Sequence, residues 1–306
     1  MRERLLLVFI VIMVCLNGLV ERTINLSGLL DMSRHFIEVW LLAIPMTLII
    51  ISGGIDLSVG SMVGLCVIVL AMTWKELKLN IWLSVLLTLL IGTLAGALNG
   101  AVIAYISVPP LIVTLATMAV YRGLAYGISQ AKPFSGFPDA FLVLGQHYIF
   151  GIPVQLLIFI LLALLTSFIA SRTVFGRYIY AIGQNETAAS FTGIPVRALK
   201  LSLYAYSGVC AALSALILVS RTSTARADAG IGYELDAIAA VLLGGASISG
   251  GEGSILGTSL GLLLIALVRR ILTLQLVRTE GQTMVIGALL IVSVAIDQML
   301  RRRGRR

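Results

Sequence analysis

Charge is what this chain has least of. Asp, Glu, Lys and Arg make up 12% of its 306 residues, whereas a soluble domain carries about 25%. That shortage excludes an ordinary solvated surface. The apolar runs are long and closely spaced, which leaves no room for a sizeable soluble domain. With 59% hydrophobic residues and a mean hydropathy of +1.04, the chain reads as an integral membrane protein. A single membrane domain over 1–306 is the expected organisation, although length alone would allow two.

Reactive side chains are scarce too. The two histidines, His35 and His147, lie far apart. The cysteines Cys15, Cys66 and Cys210 all fall in apolar runs without metal-ligand spacing, and read as small buried hydrophobes. There is no GxxxxGK[ST] phosphate loop and no HExxH. Catalysis by this chain alone is therefore not expected, and no catalytic, cofactor-binding or metal-binding residues are assigned. Any work it does must draw on an ion gradient or on another subunit. An ion-coupled carrier needs ionisable groups within its spans, and these are few. Arg122 falls inside one run and Asp297 near the end of the last, while Asp56 and Glu252 lie in glycine-rich breaks.

What is abundant is span-length apolar sequence. At about 20 residues per crossing, spans are expected near 5–20, 37–53, 58–74, 81–105, 111–129, 154–171, 200–220, 235–249, 254–268 and 283–299. The expected fold class is thus all-α, a polytopic membrane helical bundle of about ten spans, with the second/third and eighth/ninth pairs tightly joined and open to being half-helices. The run Leu5 to Leu19 lacks a small-x-small cleavage site before Glu21-Arg22 and is read as an uncleaved first span. An even span count puts both termini on one side. Arg2, Arg4, Arg172, Arg177, Arg197, Lys200 and the five tail arginines mark that side as cytoplasmic. The opposite loops also carry Lys75, Lys78, Arg221, Arg226, Arg269 and Arg270, so the asymmetry is clearest at the termini.

Four places break the apolar pattern. Gly53-Gly54-Ile55-Asp56-Leu57-Ser58-Val59-Gly60-Ser61 can end one helix on its glycines and cap the next with its Asp/Ser pair. Gly244-Gly245-Ala246-Ser247-Ile248-Ser249-Gly250-Gly251-Glu252-Gly253-Ser254 repeats that grammar about 190 residues later, as an internally duplicated transporter would. Gly92, Gly96 and Gly100, with Asn99 beside them, form a flat strip suited to close helix packing; Asn99 could alternatively offer an amide to a solute on its path. Finally, Gly183 to Val196 is a polar, small-residue segment between apolar runs. It reads as a short helix opened by Glu186 and stopped by Pro195, with Ala188, Ala189 and Gly193 giving it a small-residue face for docking.

Those last residues carry a resemblance. Glu186-x-Ala188-Ala189-x-x-x-Gly193-Ile194 is similar to the EAA-type coupling motif of bacterial ABC importer permeases. The run from Gly176-Arg177 to Asn185-Glu186-x-Ala188-Ala189 resembles the ribose/xylose/galactose permease group, to which autoinducer-2 importers are also close. Both glycine-rich breaks look like segments of that group, in the same order along the chain. The resemblance implies the permease subunit of an ATP-binding-cassette importer in the bacterial inner membrane. Its path would serve a monosaccharide or related small polar solute. Implied partners are ATPase subunits that bind ATP and Mg, a periplasmic solute-binding protein, and a second permease copy or paralogue. It implies a cytoplasmic coupling segment at about 175–197, with Asn185, Glu186, Ala188, Ala189, Gly193 and Ile194 contacting the ATPase. It also marks Gly53, Gly54, Asp56, Ser58, Gly244, Gly245, Gly250 and Gly251 as family-signature breaks, without assigning them a role. An ion-coupled carrier or a channel is the alternative from another class.

Overall fold

The computed structural model describes residues 26–304. The expected first span at 5–20 lies outside the described residues. From there the chain is a succession of helices. These are α1 (Leu26–Ser33), α2 (Ile37–Ile51), α3 (Val59–Ala71), α4 (Ile81–Tyr105) and α5 (Pro110–Ser129), with α3 running on into a π turn at Met72–Glu76. Next come the short strand β1 (Phe134–Ser135), α6 (Asp139–Gln146), the hairpin strands β2 (Tyr148–Ile149) and β3 (Ile152–Pro153), and α7 (Val154–Arg172). Then follow α8 (Val174–Gln184), α9 (Glu186–Phe191), α10 (Val196–Thr222), β4 (Thr224–Ala225), α11 (Tyr233–Leu243), α12 (Ile255–Leu274) and α13 (Thr279–Gly304). β1 pairs with β4 and β2 with β3, both antiparallel.

Six of the described helices are long and apolar enough to cross a membrane: α3 with its π turn, α4, α5, α7, α10 and α12. Apart from Glu38 and Thr47 the helix α2 is apolar, and it is buried at every position, the pattern of a core helix. Its 15 residues reach only about 22 Å. The expected eighth span, 235–249, is corrected: the helix stops at Leu243 after 11 residues, about 16 Å, because Gly244 and Gly245 close it there.

The bundle is organised around α10, which packs along α4, α2, α3 and α6. Helix α4 shows why its sequence fits that place. Leu86, Leu90, Leu94 and Leu98 recur every four residues and are 52–63% exposed, the side that lipid covers. The opposite side carries Gly92, Gly96 and Gly100. A Cβ at Gly92 would lie 2.6 Å from the Gly208 carbonyl oxygen, one at Gly100 2.9 Å from the Leu201 Cα, and one at Gly96 would collide with the Tyr204 carbonyl oxygen. The glycine strip thus lets two backbones touch. At its N-terminus the Asn80 side chain accepts from the Trp82 N–H at 2.9 Å, capping the helix.

The chain reversals gather at two ends. One carries α9 and both glycine-rich breaks; the other carries α1, α6, the hairpin and the loops around 77–80, 223–232 and 275–278. At this second end several basic residues are matched. Arg221 pairs with buried Glu38 at 2.8 Å, Arg269 with Asp236 at 2.7 Å and Arg226 with Asp228 at 2.7 Å. Arg270 donates to the Gly28 carbonyl. Arg122 donates to the carbonyls of Ala227, Ala229 and Gly60, so the charge inside α5 holds the loop before α11 against α3.

Candidate functional site

Both breaks and the polar segment are built on one local device. After α2, the Gly53 N–H donates to the Ile50 carbonyl and the Gly54 N–H to that of Ile49, both at 2.9 Å. After α9, Gly193 donates to Ser190 at 3.1 Å and Ile194 to Ala189 at 3.2 Å; after α11, Gly245 donates to Leu242 at 3.0 Å and Ala246 to Val241 at 3.2 Å. This is the Schellman closure, which needs a left-handed residue after the cap. Gly53, Gly193 and Gly245 supply it with φ of 83°, 83° and 93°. Gly193, not Pro195, therefore stops α9, and Pro195 instead opens α10. The shared GG grammar of the two breaks has this physical content, with the left-handed position on the first glycine of one pair and the second of the other.

The first break is not an exposed turn. Asp56 and Ser58 are fully buried. Ser58 stands at the N-cap of α3 but makes no capping bond, which corrects the expected Asp/Ser cap. Its hydroxyl donates instead to Asp56 Oδ1 at 2.6 Å, as its N–H does at 3.0 Å. Asp56 Oδ2 accepts from Ser207 of α10 at 2.9 Å. Asn99 of α4 donates to the Ser58 hydroxyl at 2.8 Å and accepts from Tyr121 of α5 at 3.1 Å. The first break, at the head of α3, is thus tied to α4, α5 and α10 by one polar knot. Asn99 spends both ends of its amide on it, so its geometry is that of a structural tie.

The break regions and the polar segment meet. The Gly251 N–H donates to the Ile51 carbonyl at 2.8 Å, joining the second break to the end of α2. Gly183 in the last turn of α8 fits between them; a Cβ there would collide with the Ile51 carbonyl oxygen and the Gly251 nitrogen. A Cβ on Gly250 would lie 2.8 Å from the Gly183 carbonyl oxygen and 3.2 Å from the Gly53 Cα. Gln184 donates to the Gly251 carbonyl at 3.3 Å and Tyr180 to that of Gly253 at 2.8 Å. Three segments far apart in sequence therefore share one backbone junction. Gly244 packs separately, against Gly257 at the start of α12.

Helix α9 hangs from this junction. Asn185 caps it, accepting from the Ala188 N–H at 2.9 Å. Glu186 in the first turn, where the helix dipole favours an anion, receives a 2.6 Å contact from Lys200. The two alanines part company. Ala188 faces outward, while Ala189 is buried against Ile182, Val196 and Leu199, with Ile194 packed beside them. The outward face is therefore Thr187, Ala188, Ser190 and Phe191, and Phe191 is 87% exposed. Sequence reasoning passed over Phe191, Tyr180, Gln184 and Ser207. Only Phe191 carried a signal, as the one aromatic residue between Gln184 and Val196.

Comparison with known proteins agrees with this architecture. Residues 28–294 match the family model described as branched-chain amino acid transport system / permease component. The chain is 37% identical over 299 residues to the autoinducer 2 import system permease protein LsrD of Enterobacter sp. (strain 638), covering 95% of this chain and 91% of that protein. It is 38% identical over 304 residues to the protein of the same name from Yersinia pestis (strain Pestoides F), covering 95% and 90%. No solved structure matches. The resemblance read from the coupling-type motif and the two glycine-rich breaks is borne out, and the chain belongs to the branched-chain amino acid transport system / permease component family of membrane permeases.

Proposed function

We propose that this protein is the transmembrane permease subunit of an ATP-binding-cassette importer, forming the path for autoinducer-2 or a related sugar-like small polar solute. The observation that carries the reading is the similarity along 95% of the chain to permeases of autoinducer 2 import systems. The exposed α9, capped at both ends and seated on the junction of the two breaks, supports a coupling role for residues 175–197. A periplasmic binding protein delivers the solute, and separate ATPase subunits holding ATP and Mg drive the cycle. A second permease copy or paralogue completes the path. The ten-span topology counts 5–20, α2, α3, α4, α5, α7, α10, α11, α12 and α13, with the short α2 and α11 as half-helices, within one domain over 1–306. It places both termini and α9 on the cytoplasmic side of the inner membrane. Arg172, Arg177, Arg197 and Lys200, which flank α9, support that orientation.

Within α9 the outward residues, Ala188 and above all Phe191, touch the ATPase. Asn185, Ala189, Gly193 and Ile194 shape the helix that presents them. The test is co-purification of the partner ATPase with the parent chain and with Phe191→Asp. Binding to the parent and its loss in the variant is the expected result; equal binding by both removes α9 from the interface. An ion-coupled carrier would import its solute in vesicles without any ATPase.

A further inference from the structure

At the end of the bundle opposite α9, the β2–β3 hairpin turns through Phe150 and Gly151, with φ of 51° and 79°. Two left-handed residues in succession make a type I′ turn, whose first position favours Asn, Asp or Gly. Here that position holds a phenylalanine, in a conformation costly for a bulky side chain, and its ring is 101% exposed. The flanking Tyr148 and Ile149 are 39% and 46% exposed. The hairpin is firmly held. The Tyr148 hydroxyl donates to Asp31 and accepts from Arg34, both at 2.5 Å. The Arg34 guanidinium lies 5.0 Å from the Tyr148 ring centroid and also donates to the Gly145 carbonyl at 3.2 Å. The Val154 N–H donates to the His147 carbonyl at 3.1 Å and closes the base. A rigid mount thus presents an aromatic ring that packs against nothing among the described residues.

What covers it follows from what the hairpin joins. β3 runs directly into α7, a helix long and apolar enough to span the membrane, whose outward Leu161, Leu164, Leu165 and Phe168 are 52–68% exposed. The hairpin continues that lipid-facing surface at its rim. Tyr148 to Pro153 contains no charged residue. Two other reversals at the same end repeat the pattern, with Leu77 64% exposed beside left-handed Lys78, and left-handed Leu276 90% exposed.

We propose that the 148–153 hairpin is a membrane anchor, its Phe150 ring inserted at the boundary between headgroups and acyl chains of the adjoining leaflet. Aromatic side chains favour that layer, and lipid there removes the exposed apolar surface that water would penalise. The anchor fixes the depth of α7, the helix that leads directly to α8 and α9.

The test is Phe150→Trp in vesicles of phosphatidylcholine brominated at shallow or deep acyl positions, read as the added emission over the parent chain's three tryptophans. The added emission should be blue-shifted, lose more than half its intensity to the shallow bromines, lose less to the deep ones, and resist aqueous iodide. Water-like emission that iodide quenches in bare vesicles overturns the proposal. Protection that arises only when the periplasmic binding protein is added overturns it in favour of protein docking. Should Phe150→Trp not insert, Ile149→Trp gives the same reading from the neighbouring strand position.

Discussion

At the scale of the residue, the most constrained position in the candidate site is Gly183. Any side chain there meets two backbones, the Ile51 carbonyl and Gly251, and neither can yield as a flexible side chain would. Gly183→Ala is therefore expected to cost about 1–3 kcal/mol, read as a lower unfolding temperature of the detergent-purified protein. Gly193 is different, since nothing among the described residues lies within 4 Å of a Cβ there and its left-handed backbone is what opposes substitution. Gly193→Ala should cost about 1 kcal/mol and Gly193→Asn less, because asparagine tolerates that conformation; equal losses for the two would contradict the Schellman assignment. Asp56 is held by hydroxyls, not by a cation, accepting from Ser58 and Ser207. Asp56→Ala leaves two buried hydroxyls without their acceptor, and a loss of about 2–4 kcal/mol is expected. Asp56→Asn keeps an acceptor oxygen and should lose less.

At the scale of the element, the sharpest contrast is between the two sides of α4. Gly96→Leu should abolish assembly, since its backbone contact with Tyr204 leaves no room. Leu94→Ala should change stability by no more than about 0.5 kcal/mol, because that side chain faces lipid. Comparing folded yields of the two variants checks this. This strip was readable in the sequence because four-residue spacing is a property of one helix. The helix ends were nearly as readable: α4 spans the expected 81–105, and α5 and α7 begin or end within one residue of expectation. Misreadings came where specific hydrogen bonds override hydropathy and cap preference. Hydropathy carried the eighth span through 244–249, since Ala246 and Ile248 look apolar, but the Schellman closure at Gly245 ends α11 earlier. The Asp/Ser cap failed because the Ser58 hydroxyl oxygen accepts from Asn99 instead of from a backbone N–H of α3. The meeting of Ile51, Gly183 and Gly251 joins residues about 70 to 200 positions apart, beyond any local periodicity.

At the scale of the whole molecule, a connected arrangement runs from α9 through the Gly183 junction to both breaks, and from the first break through Asp56 to α10, α4 and α5. On the proposed function, motion received at Phe191 reaches the spans along these contacts. The most direct measurement of that claim is uptake of labelled autoinducer-2 by vesicles reconstituted with the permease, its ATPase and the binding protein. Parent and Phe191→Asp are compared, with and without ATP. The account predicts uptake only with ATP. It predicts a loss of about tenfold or more in the variant, since one buried aromatic contact is worth at least ~1.4 kcal/mol, while the fold stays intact because that ring is 87% exposed. Uptake that continues without the ATPase, or that Phe191→Asp leaves unchanged, contradicts it.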